Sequence, residues 1–319
     1  MWSRRGLLYM VVVSIIAVAI YSLPGTSGFS IPWPVTTVLG TTVGLVAGFK
    51  NSNVFTRATE AMQAFAQISA ATRMWARLCR DFTDAATART LVYRHIAWMT
   101  ALRFALRRPM PWEGMARKVN REYRRRYQIL EDTTSLKTEL TGLLGDEAQP
   151  VLAAPLPAIR LLDQQVAEVN ALLKDGKVPT QAYSEMIKVL RDLHDQQARC
   201  DRIKNAPYPR QYAIVSSMFV AIFCTLLPFG AAPVFAQMSS LGGVIGAIAI
   251  WLTIPFSALV GWMYMSLDLV GESTSNPFEG NANDVPISQI TRDLEIELRA
   301  CLGETNLPAP LLPVNGIAT

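Results

Sequence analysis

Four stretches of the chain, about residues 6–23, 33–49, 211–233 and 241–267, contain no Lys, Arg, Asp or Glu. Each is about long enough to cross the ~30 Å hydrocarbon core of a bilayer as a helix. In hydrocarbon no water is present to satisfy backbone groups, so a spanning segment must close its own hydrogen bonds, which a helix does. The expectation is therefore an all-α membrane protein with four transmembrane helices. Composition agrees, with half the residues hydrophobic and only 17% charged, a balance unusual for a soluble domain. The first stretch follows Arg4 and Arg5, as a secretory signal would, but ends in Leu23-Pro24-Gly25 without a small-residue cleavage site. It reads as a retained helix.

Charge gives the orientation. Of 30 Lys and Arg, two stand in the N-terminal tail, 26 lie between Lys50 and Arg210, and two follow residue 268. The connections 24–32 and 234–240 hold none. Because basic residues resist translocation, both termini and the middle segment are expected on the cytoplasmic side of the inner membrane, with the two short connections outside. The division is then an N-terminal hairpin 1–49, a cytoplasmic domain 50–210, a C-terminal hairpin 211–267 and a tail 268–319. A net charge of +5 follows from this topology, and nucleic acid is not an expected partner.

The middle segment has helical periodicity throughout. Leu162, Val166, Val169 and Leu173 make one apolar face, and Lys174-Asp175-Gly176 followed by Pro179 ends it. Tyr183, Met186, Leu190 and Leu193 repeat the pattern, as do Val92, Ile96 and Met99 earlier. The tail carries a helix over about Ile287–Cys301 after a Ser/Thr/Asn/Gly-rich stretch from Asp268 to Asn283, and Pro228 and Pro255 are expected kinks in the third and fourth apolar helices. Cys79, Cys200, Cys224 and Cys301 are scattered, and His95 and His194 lie far apart, so neither a disulfide framework nor a zinc site is implied. The cluster from Arg121 to Arg126 fits either a solvated helix face or a seat for anionic lipid heads or for anions. No phosphate loop or hydrolase motif occurs.

The second stretch departs most from plain apolarity. Gly40, Gly44 and Gly48 recur every four residues, a small-residue stripe that admits another helix closely. Thr41, Leu45 and Phe49 run beside it, one residue on. Two such stripes suit a pore-lining helix, and equally a lipid-facing row beside a packing groove.

Gly48-Phe49-Lys50-Asn51-Ser52 through Arg57-Ala58-Thr59-Glu60-Ala61 resembles the bestrophin-family stretch that ends the second membrane helix. Asn276-Pro277-Phe278-Glu279-Gly280-Asn281-Ala282-Asn283-Asp284-Val285-Pro286 is similar to the bacterial bestrophin Asn-Pro-Phe-Gly and Asn-Asp-Leu-Pro sequence. Cys200-Asp201-Arg202-Ile203-Lys204-Asn205-Ala206-Pro207 matches the family's Cys-Glu-Arg-Ile-x-Asn-Thr-Pro, and Arg94-His95-Ile96-Ala97 to Leu106-Arg107 adds a weaker match. Thr59 replaces the usual Trp, and Glu279-Gly280 replaces a turn that begins with Gly.

The resemblance implies a homopentamer around one central pore through which inorganic ions pass passively. The second helix of each copy lines a membrane neck at Thr41, Leu45 and Phe49, and cytoplasmic helices form a vestibule. Val178 is the expected second constriction, although a core valine after a turn fits the same position. Hydrophobic neck rings gate by dewetting, and the polar Thr41 leaves the outer neck wetter. Animal bestrophins clasp calcium with an acidic run after Asn-Pro-Phe. Here only Glu279, Asn281, Asn283 and Asp284 remain of it, too little charge for tight calcium binding, and no other cofactor is implied. Anion (chloride) conduction is the first expectation, with a sodium or potassium channel of the same fold as the alternative. A membrane-anchored scaffold or sensor fits the same topology, whereas an enzyme lacks any convergent acid, base or metal set.

Overall fold

Glycine and proline punctuate a chain that is otherwise helical. The computed structural model describes residues 4–23, 30–113, 129–206, 208–314 and 317–318, without the side chains of residues 210, 241, 243, 245 and 247. The Arg121 to Arg126 cluster lies outside the described residues. Among those described there is no strand beyond one isolated bridge between Val314 and Ile317. The longer helices are α1 (Arg4–Ser22), α2 (Trp33–Phe82), α3 (Ala85–Arg107), α4 (Leu136–Leu144), α5 (Pro157–Lys174), α6 (Thr180–Asn205), α7 (Arg210–Gln237), α8 (Thr253–Ser273) and α9 (Ile287–Cys301). They divide into two compact units, Met1–Thr56 with Tyr208–Ser275, and Arg57–Pro207 with Asn276–Thr319.

The first unit packs α1, α7 and α8 together with the opening of α2. Its apolar centre is small: Met10, Val43, Val220, Phe223, Cys224, Leu227 and Ala258. Glycine makes the approach close at two points. A Cβ on Gly261 would stand 2.2 Å from Met10 Cε, and one on Gly230 would stand 2.2 Å from Thr36 Oγ1. Pro228 and Pro233 both lie inside α7. Pro233 has no N–H for the Phe229 carbonyl four residues back, and the Ile31 amide donates to that carbonyl instead, at 3.4 Å. Three segments are long and apolar enough to cross a membrane: Arg4–Ser22, Gln211–Ser240 and Ala249–Ser273. The opening of α2 is not among them, because its four threonines and its glycines dilute the run before Lys50 ends it.

The fourth apolar stretch is not one helix from residue 241. A 3₁₀ turn at Met238–Leu241 leads to Gly242 at φ 68°, a short helix Gly243–Ile248 and a second 3₁₀ turn Ala249–Leu252, and α8 follows. Adjacent glycines at 242 and 243 make the bend cheap, and Pro255 falls in the first turn of α8, where its missing N–H has no helical partner to lose. Nor does that helix end at residue 267. It runs on to Ser273, so Asp268 is a helical residue rather than the start of a tail.

The second unit is built around α3, which packs against α4, α5, α6 and α9. Asp84 caps its start, Oδ1 accepting from the Ala86 and Thr87 amides at 3.1 and 3.0 Å. Leu91, Val92, Ile96, Trp98, Leu102 and Leu106 are buried along it. The second half of α2 lays Ala61, Phe65, Ile68, Trp75 and Cys79 into the same core. Gly176 at φ 68° and Pro179 separate α5 from α6, and α9 occupies the residues expected for the tail helix.

Two polar features lie within this core. Arg103 and Arg107 are buried on either side of the equally buried Glu131, at 3.3 and 3.6 Å, and Glu131 also accepts from Ser288 Oγ at 2.7 Å. Burial pulls the Arg103 guanidinium down from its usual range, and Glu131 and Glu139 oppose that. Removing Glu131 would take from both buried guanidiniums their shared carboxylate and leave Arg103 with the more distant Glu139 at 3.9 Å, a defect of up to about 3–5 kcal/mol.

His95 is wholly buried between Trp75 and Trp98, with Nε2 2.9 Å from Thr72 Oγ1. Burial pushes its pKa from 6.5 down to about 3, against a raising contribution from Gln165. Between those values the unfolded chain binds a proton that the folded chain refuses. The neutral ring's contribution is therefore complete above pH ~6.5 and is lost as pH falls towards 3. Denaturant unfolding of the purified protein from pH 7 to pH 4 is expected to show stability falling by up to ~1.4 kcal/mol per pH unit, the single-proton limit. His95→Gln should flatten that slope, and an equal slope in the variant would contradict the assignment.

Candidate functional site

A helix turns about 100° per residue, so the opening of α2 presents each side chain to a defined neighbour. Thr36, Gly40, Val43, Ala47 and Lys50 form the buried face. Opposite them Val38, Thr41, Leu45 and Phe49 are exposed, Leu45 at 60% and Phe49 at 57%. The stripe expected from sequence is thus the uncovered side of the helix. It carries no charge.

Its hydroxyls are satisfied locally. Thr37, Thr41 and Thr42 each donate to the carbonyl four residues earlier, at 3.0, 2.9 and 2.9 Å. With its hydrogen committed to the Thr37 carbonyl, Thr41 offers outward only an oxygen that accepts.

The three glycines differ in what they meet. A Cβ on Gly40 would stand 2.8 Å from the Phe223 ring, and one on Gly44 would stand 3.2 Å from Tyr264 Oη. One on Gly48 would meet nothing within 4 Å. Aromatic side chains of α7 and α8 fill the groove at the first two positions, while Gly48 is exposed. Tyr264 also donates to the Gly40 carbonyl at 3.1 Å, and Tyr212 donates to the Val46 carbonyl at 3.3 Å.

Lys50, directly after Phe49, is only 2% exposed. Its Nζ donates to Asp268 Oδ1 at 2.6 Å and to Ser217 Oγ at 3.3 Å. Sequence reading missed this pair. The available signal was its position: Lys50 is the first charge after the second apolar stretch, and Asp268 is the first after the fourth.

Val178 requires a correction. It is 2% exposed and packs in the core of the second unit. A side chain buried within its own chain cannot face an aqueous constriction. The turn at Gly176 points it inward and leaves Lys177, Pro179, Thr180 and Gln181 exposed around it.

The Asn-Pro-Phe turn is closed on itself. Asp284 Oδ2 accepts from the Gly280 and Asn281 amides at 2.7 and 2.8 Å. Glu279 accepts from the side-chain amides of Asn276 and Asn281 at 2.6 and 3.1 Å. Arg107 Nη1 donates to the Phe278 carbonyl at 3.0 Å. Gly280 sits at φ 91°, a backbone conformation that a side chain would strain, and a Cβ there would stand 2.5 Å from Ile129 Cδ1. Burial pushes Asp284 up to about 7, although its two amide donors and Arg107 pull the other way. Lys204, whose Nζ pairs with Glu113, adds positive charge near Glu279.

A calcium ion wants six to eight oxygens, and both carboxylates here already serve protein donors. Among the described residues no group of three His, Cys, Asp or Glu is placed to hold a metal. His194 stands 3.9 Å from Asp163 on the surface.

Residues 4–300 match the profile of the Bacterial/Fungal Bestrophin protein family. The voltage-dependent anion channel-forming protein YneE of Escherichia coli (strain K12) is 27% identical over 278 residues, 86% of this chain and 79% of that protein. A voltage-dependent anion channel-forming protein of Mesorhizobium japonicum is 25% identical over 277 residues, 86% of this chain and 76% of its own. Among solved structures, a mutant of a bacterial bestrophin homologue from Klebsiella pneumoniae superposes with a TM-score of 0.79 at 24% identity, covering 95% of this chain and all of the other.

Calorimetric titration of the purified protein with calcium is expected to give no saturable heat in the micromolar range. A saturable heat that Asp284→Asn abolishes would contradict the closed turn.

Proposed function

Because the chain belongs to the bacterial/fungal bestrophin family, we propose that this integral membrane protein is a passive anion channel, with five copies arranged around an axis lined by the opening of α2. The observation that carries the proposal is the uncovered, uncharged face Thr41, Leu45 and Phe49 on a helix whose other side is buried. The names of the relatives from Escherichia coli and Mesorhizobium japonicum support the choice of anion.

The topology proposed is four spans: α1, the opening of α2, α7, and α8 with the short helical turns before it. The distribution of Lys and Arg supports cytoplasmic termini, a cytoplasmic second unit and an inner-membrane location. A pore-lining span needs less hydrophobicity than a lipid-facing one, which accounts for the threonines and glycines of α2.

In this reading Leu45 and Phe49 form the narrow part. Apolar rings in a narrow bore expel water, and an ion waits for a transient wetting. Thr41 widens the wetted part at the outer end. No charge stands in the neck, since Lys50 is turned away and paired with Asp268. One observation favours the alternative of a sodium or potassium channel: the Thr41 oxygen presents lone pairs rather than a hydrogen.

Reconstitution into planar bilayers tests both. In asymmetric chloride salt the reversal potential is expected near the chloride equilibrium value, and a reversal near the cation value selects the alternative. Leu45→Ala and Phe49→Ala are each expected to raise unitary current on the order of 10-fold, the effect of lowering a barrier by ~1.4 kcal/mol. Currents in both variants equal to the parent's would contradict the neck assignment.

A further inference from the structure

A lysine at the end of a membrane helix ordinarily extends its stem and places its ammonium in water. Lys50 does the reverse. It turns into the first unit, where Asp268 of α8 and Ser217 of α7 receive it. The next residue is tied as well, for Asn51 Nδ2 donates to the Leu267 carbonyl at 3.3 Å. Gly271 makes room for it, since a Cβ there would stand 2.1 Å from Asn51 Oδ1 and 3.7 Å from Lys50 Cε. Two consecutive side chains of α2 are thus fastened to the last turns of α8, on the side opposite the exposed stripe.

Successive residues of a helix cannot rotate independently, so holding Lys50 and Asn51 holds Phe49. Further up, α2 meets α7 and α8 without charge, through two tyrosine hydroxyls on carbonyls, aromatic rings over Gly40 and Gly44, Val43 in the apolar centre and Thr36 against Gly230. Apolar packing leaves a helix free to shift about its axis at small cost. An ion pair removed from water does not, because a cation turned away from its partner stays buried without compensation.

We infer that Lys50, Asp268 and Ser217 form a latch that sets the rotation of α2 and so aims Phe49 into the neck, a role that rests on the channel reading above. Lys50 and Asp268 are positioning residues and touch no permeant ion. Opening the latch lets α2 turn, which moves Phe49 off the pore axis and brings the buried face, with Ala47, towards water.

The test uses full-length reconstituted protein carrying Cys301→Ser, which removes the partly exposed native thiol. Lys50→Met, Asp268→Asn and the exchanged pair Lys50→Glu with Asp268→Lys are compared, each with and without Ala47→Cys. Unitary current and labelling by a water-soluble maleimide are read at matched thermal stability. The latch predicts that each single substitution changes current on the order of 10-fold and makes position 47 reactive, and that the exchanged pair restores both. Single variants that conduct like the parent and leave position 47 unlabelled would overturn it, as would a stable exchanged pair that restores neither. If the single variants fail to assemble, the exchanged pair alone decides, parental current and a silent position 47 supporting the latch. If the parent itself passes no current, the channel reading fails while labelling at position 47 still decides whether the pair fixes the helix.

Discussion

Lys50 is buried beside an exposed Phe49, and these two neighbours define the opening of α2. One side of the helix is occupied by Val43, Ala47 and an ion pair; the other is left uncovered. In a bilayer that asymmetry has few resolutions. A charge must be paired or hydrated, and an uncovered face must meet lipid or another copy of the chain. Burial of Lys50 against Asp268 meets the first requirement. In the channel proposed above, assembly of copies around a shared, partly wetted axis meets the second.

In the channel proposed above the neck carries no charge, which bears on how selectivity arises. With Lys50 neutralised and turned inward, choice between ions at the proposed narrow point comes from the cost of stripping water and from backbone dipoles rather than from fixed charge. The self-closed Asn-Pro-Phe turn has the same character. Glu279 and Asp284 satisfy amides of their own loop, and Arg107 draws that loop to α3 through the Phe278 carbonyl. The residues that resemble a regulatory clasp work as structural ties in this chain.

Much of this was legible in the sequence. Long uncharged runs announce membrane helices whatever surrounds them, because hydrocarbon imposes one simple rule on every residue. The Thr41, Leu45 and Phe49 stripe was legible because helical geometry alone puts residues four apart on one face. Other features depend on tertiary partners. Val178 follows a glycine turn, and periodicity cannot say which way a residue in a turn will point. The Lys50 and Asp268 pair joins positions 218 apart, a distance over which no local pattern speaks. The break at Gly242 and the extension of α8 to Ser273 were misread for a related reason. Hydropathy records where charges are, whereas helix ends are set by backbone conformation.

In the proposed channel the exposed face of α2 meets water along an ion path and the buried face does not. A cysteine scan of residues 38–50 in conducting bilayers, with a charged, membrane-impermeant thiol reagent, tests it directly. Modification at 41, 45 and 49 should change the current, while 43 and 47 stay silent. Uniform silence at 41, 45 and 49, or a response confined to 43 and 47, would contradict it.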